Sequence, residues 1–137
     1  MSKLIVTGTD GDGKSTVLRT EEVSQEGPFS VLWRLDTLPP SIERPATDGL
    51  YDMGISHGEA VWVQVRHEAG KTTHLHRTDA ISFSTLISGS IELLLDIGSV
   101  SLTPGDSIVL PGVIHGWRVG ESGAVMSAIA IGLGPAA

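Results

Sequence analysis

Apolar and polar residues alternate in short runs along this chain, and no run carries the longer period of a helix. The clearest case is residues 60–66, where Val61, Val63 and Val65 alternate with Trp62, Gln64 and Arg66. A period of two is that of a strand with one buried face. Strands are also predicted at residues 4–7 and 15–19, around the turn-rich stretch 8–13, and at 29–35. Residues 72–78 and 81–87 read as two more. Gly89 breaks the run, a Leu-rich strand follows at 90–96, and the series ends with 100–103, 107–110, 116–119 and 124–131. Ile97-Gly98 marks a turn. Pro104-Gly105 suits the centre of a type II turn, where Pro presets φ and Gly supplies a positive one. Residues 37–49 hold three prolines and read as a loop or covering arm. Strands this short and evenly spaced predict a sandwich or barrel.

Composition narrows the class. The chain has 137 residues, 40% of them hydrophobic, which suits one domain over 1–137 with one core. Residues 1–59 are expected to supply N-terminal strands or an arm, and residues 60–133 the barrel. The formal charge is −7, and the nine Lys and Arg are scattered. Without a basic stripe, neither nucleic acid nor an anionic membrane surface is an expected partner. No cysteine is present, which excludes disulfides and thiolate ligands. The run Leu4-Ile5-Val6 is too short for a signal peptide, and no segment approaches the roughly 18 apolar residues of a membrane span. A cytoplasmic protein is expected.

Residues 8–15, Gly-Thr-Asp-Gly-Asp-Gly-Lys-Ser, fit the phosphate-binding pattern GxxxxGK[ST], with Lys14 and Ser15 in the phosphate and magnesium roles. The pattern requires a helix starting at Lys14 to aim N–H groups at phosphate. Ser15-Thr16-Val17 starts a helix poorly, no crossover helices follow, and two aspartates in the loop repel phosphate. A hairpin turn is the expectation.

His74-Leu75-His76 sets two imidazoles two residues apart, on one face if the segment is a strand. Imidazole suits zinc, iron, nickel and copper. Downstream come an apolar strand ending at Gly89, a Leu-rich strand, Pro104-Gly105-Asp106, residues 107–110, Pro111-Gly112 and His115. This order resembles the cupin family, whose first motif is HxH, a carboxylate and a glycine, and whose second is PGD, an apolar strand, Pro, Gly and a third histidine. The match spans residues 70–119. His76-Arg77-Thr78-Asp79 and His115-Gly116-Trp117-Arg118, with the N-terminal Gly/Asp segment, resemble one bacterial and fungal subgroup of small single-domain cupins. The resemblance implies an all-β fold, the antiparallel cupin barrel or jelly roll. It implies that His74, His76 and His115 hold one divalent metal ion (Zn, Fe, Ni or Mn). It also implies open coordination positions for a small-molecule substrate, and a homodimer.

The sequence departs from the family at Ser82, seven before Gly89, where the wider family carries Glu and the subgroup Asp. Either three histidines suffice, or the site binds metal weakly or not at all. Asp79 falls on the opposite face from His76 by strand alternation, and Val119 stands where the family has Asn. Ser82 and Trp117 are expected to line the substrate pocket. Trp33 and Trp62 are expected in the core or an interface. His57 and His67 read as surface histidines, Arg66 and Arg77 as solvated cations, and Glu92 and Asp96 as solvent-facing across a hairpin. The leading function is a metal-dependent enzyme on a small organic substrate, of lyase, cyclase, isomerase or dioxygenase type. The alternative is a non-catalytic small-molecule-binding barrel with a degenerate metal site. A nucleotide binder is the outside reading.

Overall fold

A computed structural model describes residues 2–40 and 54–134. The seven strands are β1 (Lys3–Thr9), β2 (Ser15–Glu22), β3 (Ala60–His67), β4 (Ala80–Leu95), β5 (Ser99–Leu102), β6 (Ser107–Pro111) and β7 (His115–Gly132). No helix occurs among the described residues, so none is long and apolar enough to cross a membrane.

The hydrogen-bonded order is β2-β1-β6-β4-β7-β3, with β5 on the far half of β4. Strands β4 and β7 are long enough to run through both layers of the molecule. Ala80–Leu86 of β4 pairs with β6 and with the C-terminal part of β7, whereas Ile91–Leu95 pairs with β5 and with His115–Val119. Two register shifts in β4, at Leu86/Ser88 and at Gly89/Ile91, turn the pair from one layer into the other. The sequence reads these places as strand ends. They are bulges, because pairing resumes at once beyond them. Gly89 is required there: its φ is 85°, and a Cβ would lie 2.0 Å from the Gly123 carbonyl oxygen.

The main core lies between the layers and includes Ile5, Leu86, Leu93, Ile108, Leu110, Trp117 and Met126. A second cluster, Leu4, Val6, Ile81, Val109 and Leu133, lies on the outer face of the first layer, with Trp33 and Leu35 packed against it. Alternate residues of β1 and β6 therefore serve opposite faces, as the pleat dictates. This is an all-β jelly roll of the cupin type. Among the described residues all strand pairings are antiparallel except β1 with β6, which run parallel through Leu4↔Ser107, Ile5↔Ile108 and Val6↔Val109.

Two predicted strands do not form. Residues 29–35 run as coil: Trp33 and Leu35 bury their side chains on the second cluster without joining a ladder. Residues 72–78 make only the isolated bridges Thr72↔Arg118 and His76↔His115. The segment gives four steps where β7 gives three, and the extra residue breaks the ladder. The loop expected at 37–49 falls mostly outside the described residues. Of its described part, Pro40 is buried and its carbonyl accepts the Gly134 N–H at 2.6 Å.

Residues 8–15 form the β1–β2 hairpin. The Asp10 carboxylate accepts the N–H groups of Asp12 and Lys14, and Gly13 has a φ of 80°. Ser15 is buried and exchanges hydrogen bonds with Asp96: its N–H donates to the carboxylate, and its hydroxyl accepts the Asp96 N–H. The loop therefore faces a carboxylate on an all-β scaffold, with no helix N-terminus to hold phosphate.

The PGD turn matches its expectation. Gly105 has a φ of 96°, and the Asp106 N–H donates to the Thr103 carbonyl at 3.0 Å. Asp106 is 1% exposed. Its carboxylate accepts the N–H and hydroxyl of Thr103 and the N–H of Lys3, so one buried acid closes the turn and sets β1 beside β6.

Candidate functional site

The site rests on how residues 70–76 lie along the first turn of β7. Backbone hydrogen bonds tie Gly70 to Gly120, Lys71 to Val119 and Thr73 to Trp117, and the Thr73 hydroxyl accepts the Trp117 N–H at 2.9 Å. His76 and His115 then exchange both backbone bonds, at 2.9 and 2.8 Å. Directly opposed residues of an antiparallel pair share a face, and the two imidazole centroids lie 4.7 Å apart. Gly116 permits this close approach, since a Cβ there would meet the Thr73 carbonyl oxygen at 3.0 Å and Leu75 at 3.2 Å. Leu75 packs over Gly116 on the reverse side.

Both central histidines are oriented by a backbone carbonyl. The Nδ1 of His115 is 2.9 Å from the Val113 carbonyl, and that of His76 is 3.1 Å from the His74 carbonyl. A carbonyl oxygen only accepts, so Nδ1 is the donor in each bond. Burial pushes the His115 pKa down to about 4, against the opposing pull of the Val113 carbonyl, and the neighbouring His76 lowers it further. His115 is therefore neutral at pH 7.

His74 stands apart. It is exposed, with its ring centroid 6.1 Å from that of His76. Among the described residues, no three His, Asp or Glu side chains are gathered tightly enough to enclose a metal ion. The structure therefore brings His76 and His115 together and leaves His74 at the rim. Ser82 lies on β4 opposite Leu110 and Ala130, on the inward face, and is half-buried. Trp117 is 7% exposed, belongs to the main core and meets the His115 ring edge-on at 5.7 Å. Asp79 is exposed.

Sequence reasoning missed His67. It is not a surface histidine: it is half-buried, 5.5 Å from Trp117 between ring centroids, and burial lowers its pKa. The signal was present in the alternation of Val61, Val63 and Val65, which continues to position 67. Trp62, expected in core or interface, is 79% exposed, with its indole N–H on the Ser127 hydroxyl. His57 is exposed as expected, and its Nδ1 lies against the Leu133 carbonyl. Glu92 lies at the surface across the hairpin, as expected, where it accepts from Ser99 and pairs with Arg118.

Fold and site together define a cupin-type barrel with an imidazole pair set between its layers. Among solved structures, the chain is similar to a protein of unknown function from Rhizobium leguminosarum bv. viciae 3841. The identity is 17% and the TM-score 0.51, over 55% of this chain and 72% of that one. It also matches KdgF from Halomonas sp., at 22% identity and TM-score 0.46 over 52% of this chain and 68% of that one. An RmlC-like cupin from Shewanella frigidimarina NCIMB 400 matches at 20% identity and TM-score 0.46, over 52% and 64%. Likeness at such identities is one of fold alone. No family model and no curated protein matches the chain.

Proposed function

We propose that this cupin barrel is a metal-dependent enzyme acting on a small organic molecule, with His74, His76 and His115 as the ligands of one divalent ion. The observation that carries the reading is the pair of Nδ1-to-carbonyl bonds at His76 and His115. Outer hydrogen bonds of this kind orient metal-binding histidines and raise their basicity. Two of the three residues thus fit a metal as they stand. His74, on the same segment, is the third by position rather than by contact. A bound ion would polarise a carbonyl or enolate oxygen as a Lewis acid, which suits a lyase, cyclase, isomerase or dioxygenase. The protein's own groups exclude water around His115 through Trp117 and Val113, and keep its imidazole neutral. The stretches 76–79 and 115–118 support placing the chain in the subgroup of small cupins that shares them.

A second reading is favoured by Ser82, which stands at the position of the family's carboxylate and brings no charge to the inward face. On that reading the barrel binds a small molecule without metal. Metal analysis of tag-free protein, followed by calorimetric titration with zinc, nickel and ferrous iron, decides between the two. One equivalent bound, and lost in His76→Ala and His115→Ala, is the expected result. Protein that takes up none of these ions, yet is stabilised by metabolites in a thermal-shift screen, establishes the second reading instead.

A further inference from the structure

Antiparallel neighbours meet in pairs of residues that exchange both backbone bonds. His76 and His115 form such a pair. Thr73 and Trp117 form another, with one substitution. The Thr73 N–H donates to the Trp117 carbonyl at 2.9 Å, but the Trp117 N–H donates to the Thr73 hydroxyl, at 2.9 Å, in place of the Thr73 carbonyl. The two pairs lie three residues apart on one side and two on the other, which is the surplus residue of a bulge. The Thr73 and His74 carbonyls turn over Gly116 instead, 3.0 and 3.3 Å from where a Cβ would stand. There the His74 carbonyl accepts the Nδ1 of His76 at 3.1 Å. Trp117 is buried and meets the His115 ring edge-on. A buried N–H left without an acceptor is costly. The Thr73 carbonyl could serve it only by turning the peptide between Thr73 and His74, which moves the His74 carbonyl from the His76 ring.

We propose that Thr73 is a positioning residue of the imidazole pair. Its hydroxyl takes the place of its own carbonyl in the ladder, which lets the surplus residue stay and leaves the His74 carbonyl free to orient His76 against His115. The role belongs to the hydroxyl oxygen as an acceptor, so serine can fill it and valine cannot. Partners that orient the histidines of a site govern its affinity for metal as well as its shape. The inference rests on the reading of the imidazole pair as the functional centre, but its test is made first on metal-free protein.

The full chain is compared as wild type, Thr73→Val, Thr73→Ala and Thr73→Ser. Hydrogen exchange at the Trp117 N–H reads the bond itself. The Val119 N–H, held by the Lys71 carbonyl at 2.8 Å, is the internal reference for any general loosening. Nuclear Overhauser contact between the His76 and His115 rings, whose centroids lie 4.7 Å apart, reads the geometry. Thr73→Val and Thr73→Ala should each speed exchange at Trp117 about tenfold more than at Val119 and weaken the ring contact. Thr73→Ser should restore both, and Thr72→Val, at the exposed neighbouring bridge, should change neither. In zinc titration the valine variant should bind about tenfold more weakly and the serine variant within about threefold of wild type. Should valine not be accommodated, the alanine variant gives the same reading. Unaltered Trp117 protection or ring contact in a folded variant without the hydroxyl, or a serine variant that restores neither, overturns the proposal. A wild type that shows the ring contact but takes up no zinc removes the metal reading and leaves this one standing.

Discussion

At the scale of single residues, burial of His115 makes stability depend on pH. Its pKa is about 4 in the folded chain, against 6.5 for an ordinary histidine, because burial disfavours the charged ring. The unfolded chain takes up a proton at this position as the pH falls through 6.5, and the folded chain does not until about 4. The stabilisation is therefore complete above pH 6.5 and is lost as the pH falls from 6.5 to 4, amounting to about 3 kcal/mol at most. Urea unfolding of metal-free protein at a series of pH values should show this loss, and His115→Gln should flatten the profile in that window. The residues of the pair were legible in sequence, since HxH and a third histidine after PGD stand out together. The carbonyl partners of their rings were not, because Val113 and His74 contribute backbone atoms that no side-chain pattern reveals. His67 was legible in principle, as the next step of a period already seen.

At the scale of elements, alternation located the strands but not their joins. Gly89 and Gly123 look like endings because glycine usually weakens a strand. Here they let two long strands bend and cross between layers. Residues 29–35 carry enough apolar side chains to read as a strand, yet they bury Trp33 and Leu35 by packing on a sheet instead of extending it. The segment bearing His74 and His76 is the subtler case, since one surplus residue against β7 replaces a ladder by two bridges. That segment lies flush on β7 only because position 116 has no side chain. Gly116→Ala should cost about 1–2 kcal/mol in unfolding measurements, the range for overpacking a tight contact. It should also weaken metal uptake in calorimetric titration, because the Thr73 and His74 carbonyls must retreat. Retained affinity in a folded Gly116→Ala protein would show that the segment's position does not govern the site.

At the scale of the whole molecule, strand spacing and punctuation indicated only a sandwich or barrel, and the jelly roll followed from the resemblance carried by the histidine and PGD motifs. The parallel pairing of β1 with β6 was not legible, since it joins parts of the chain about a hundred residues apart. The homodimer implied by the family resemblance stands as a proposal. Strand β3 ends the sheet among the described residues, and Trp62 and Ile129 lie exposed beside it. Sedimentation equilibrium should give twice the chain mass, and Trp62→Asp should shift it towards one; a monomeric wild type removes the expectation.

The grip of Asp106 on the Lys3 N–H spans 103 residues. Ribosomes release the β1–β2 hairpin about a hundred residues before the partner for the open side of β1 is made. Until then the nascent chain offers a bare apolar edge, with an isolated hairpin too weak to stand alone. Contacts of such long reach also make barrels fold slowly. The buried acid that locks the folded sheet thus ties β1 to a strand synthesised much later.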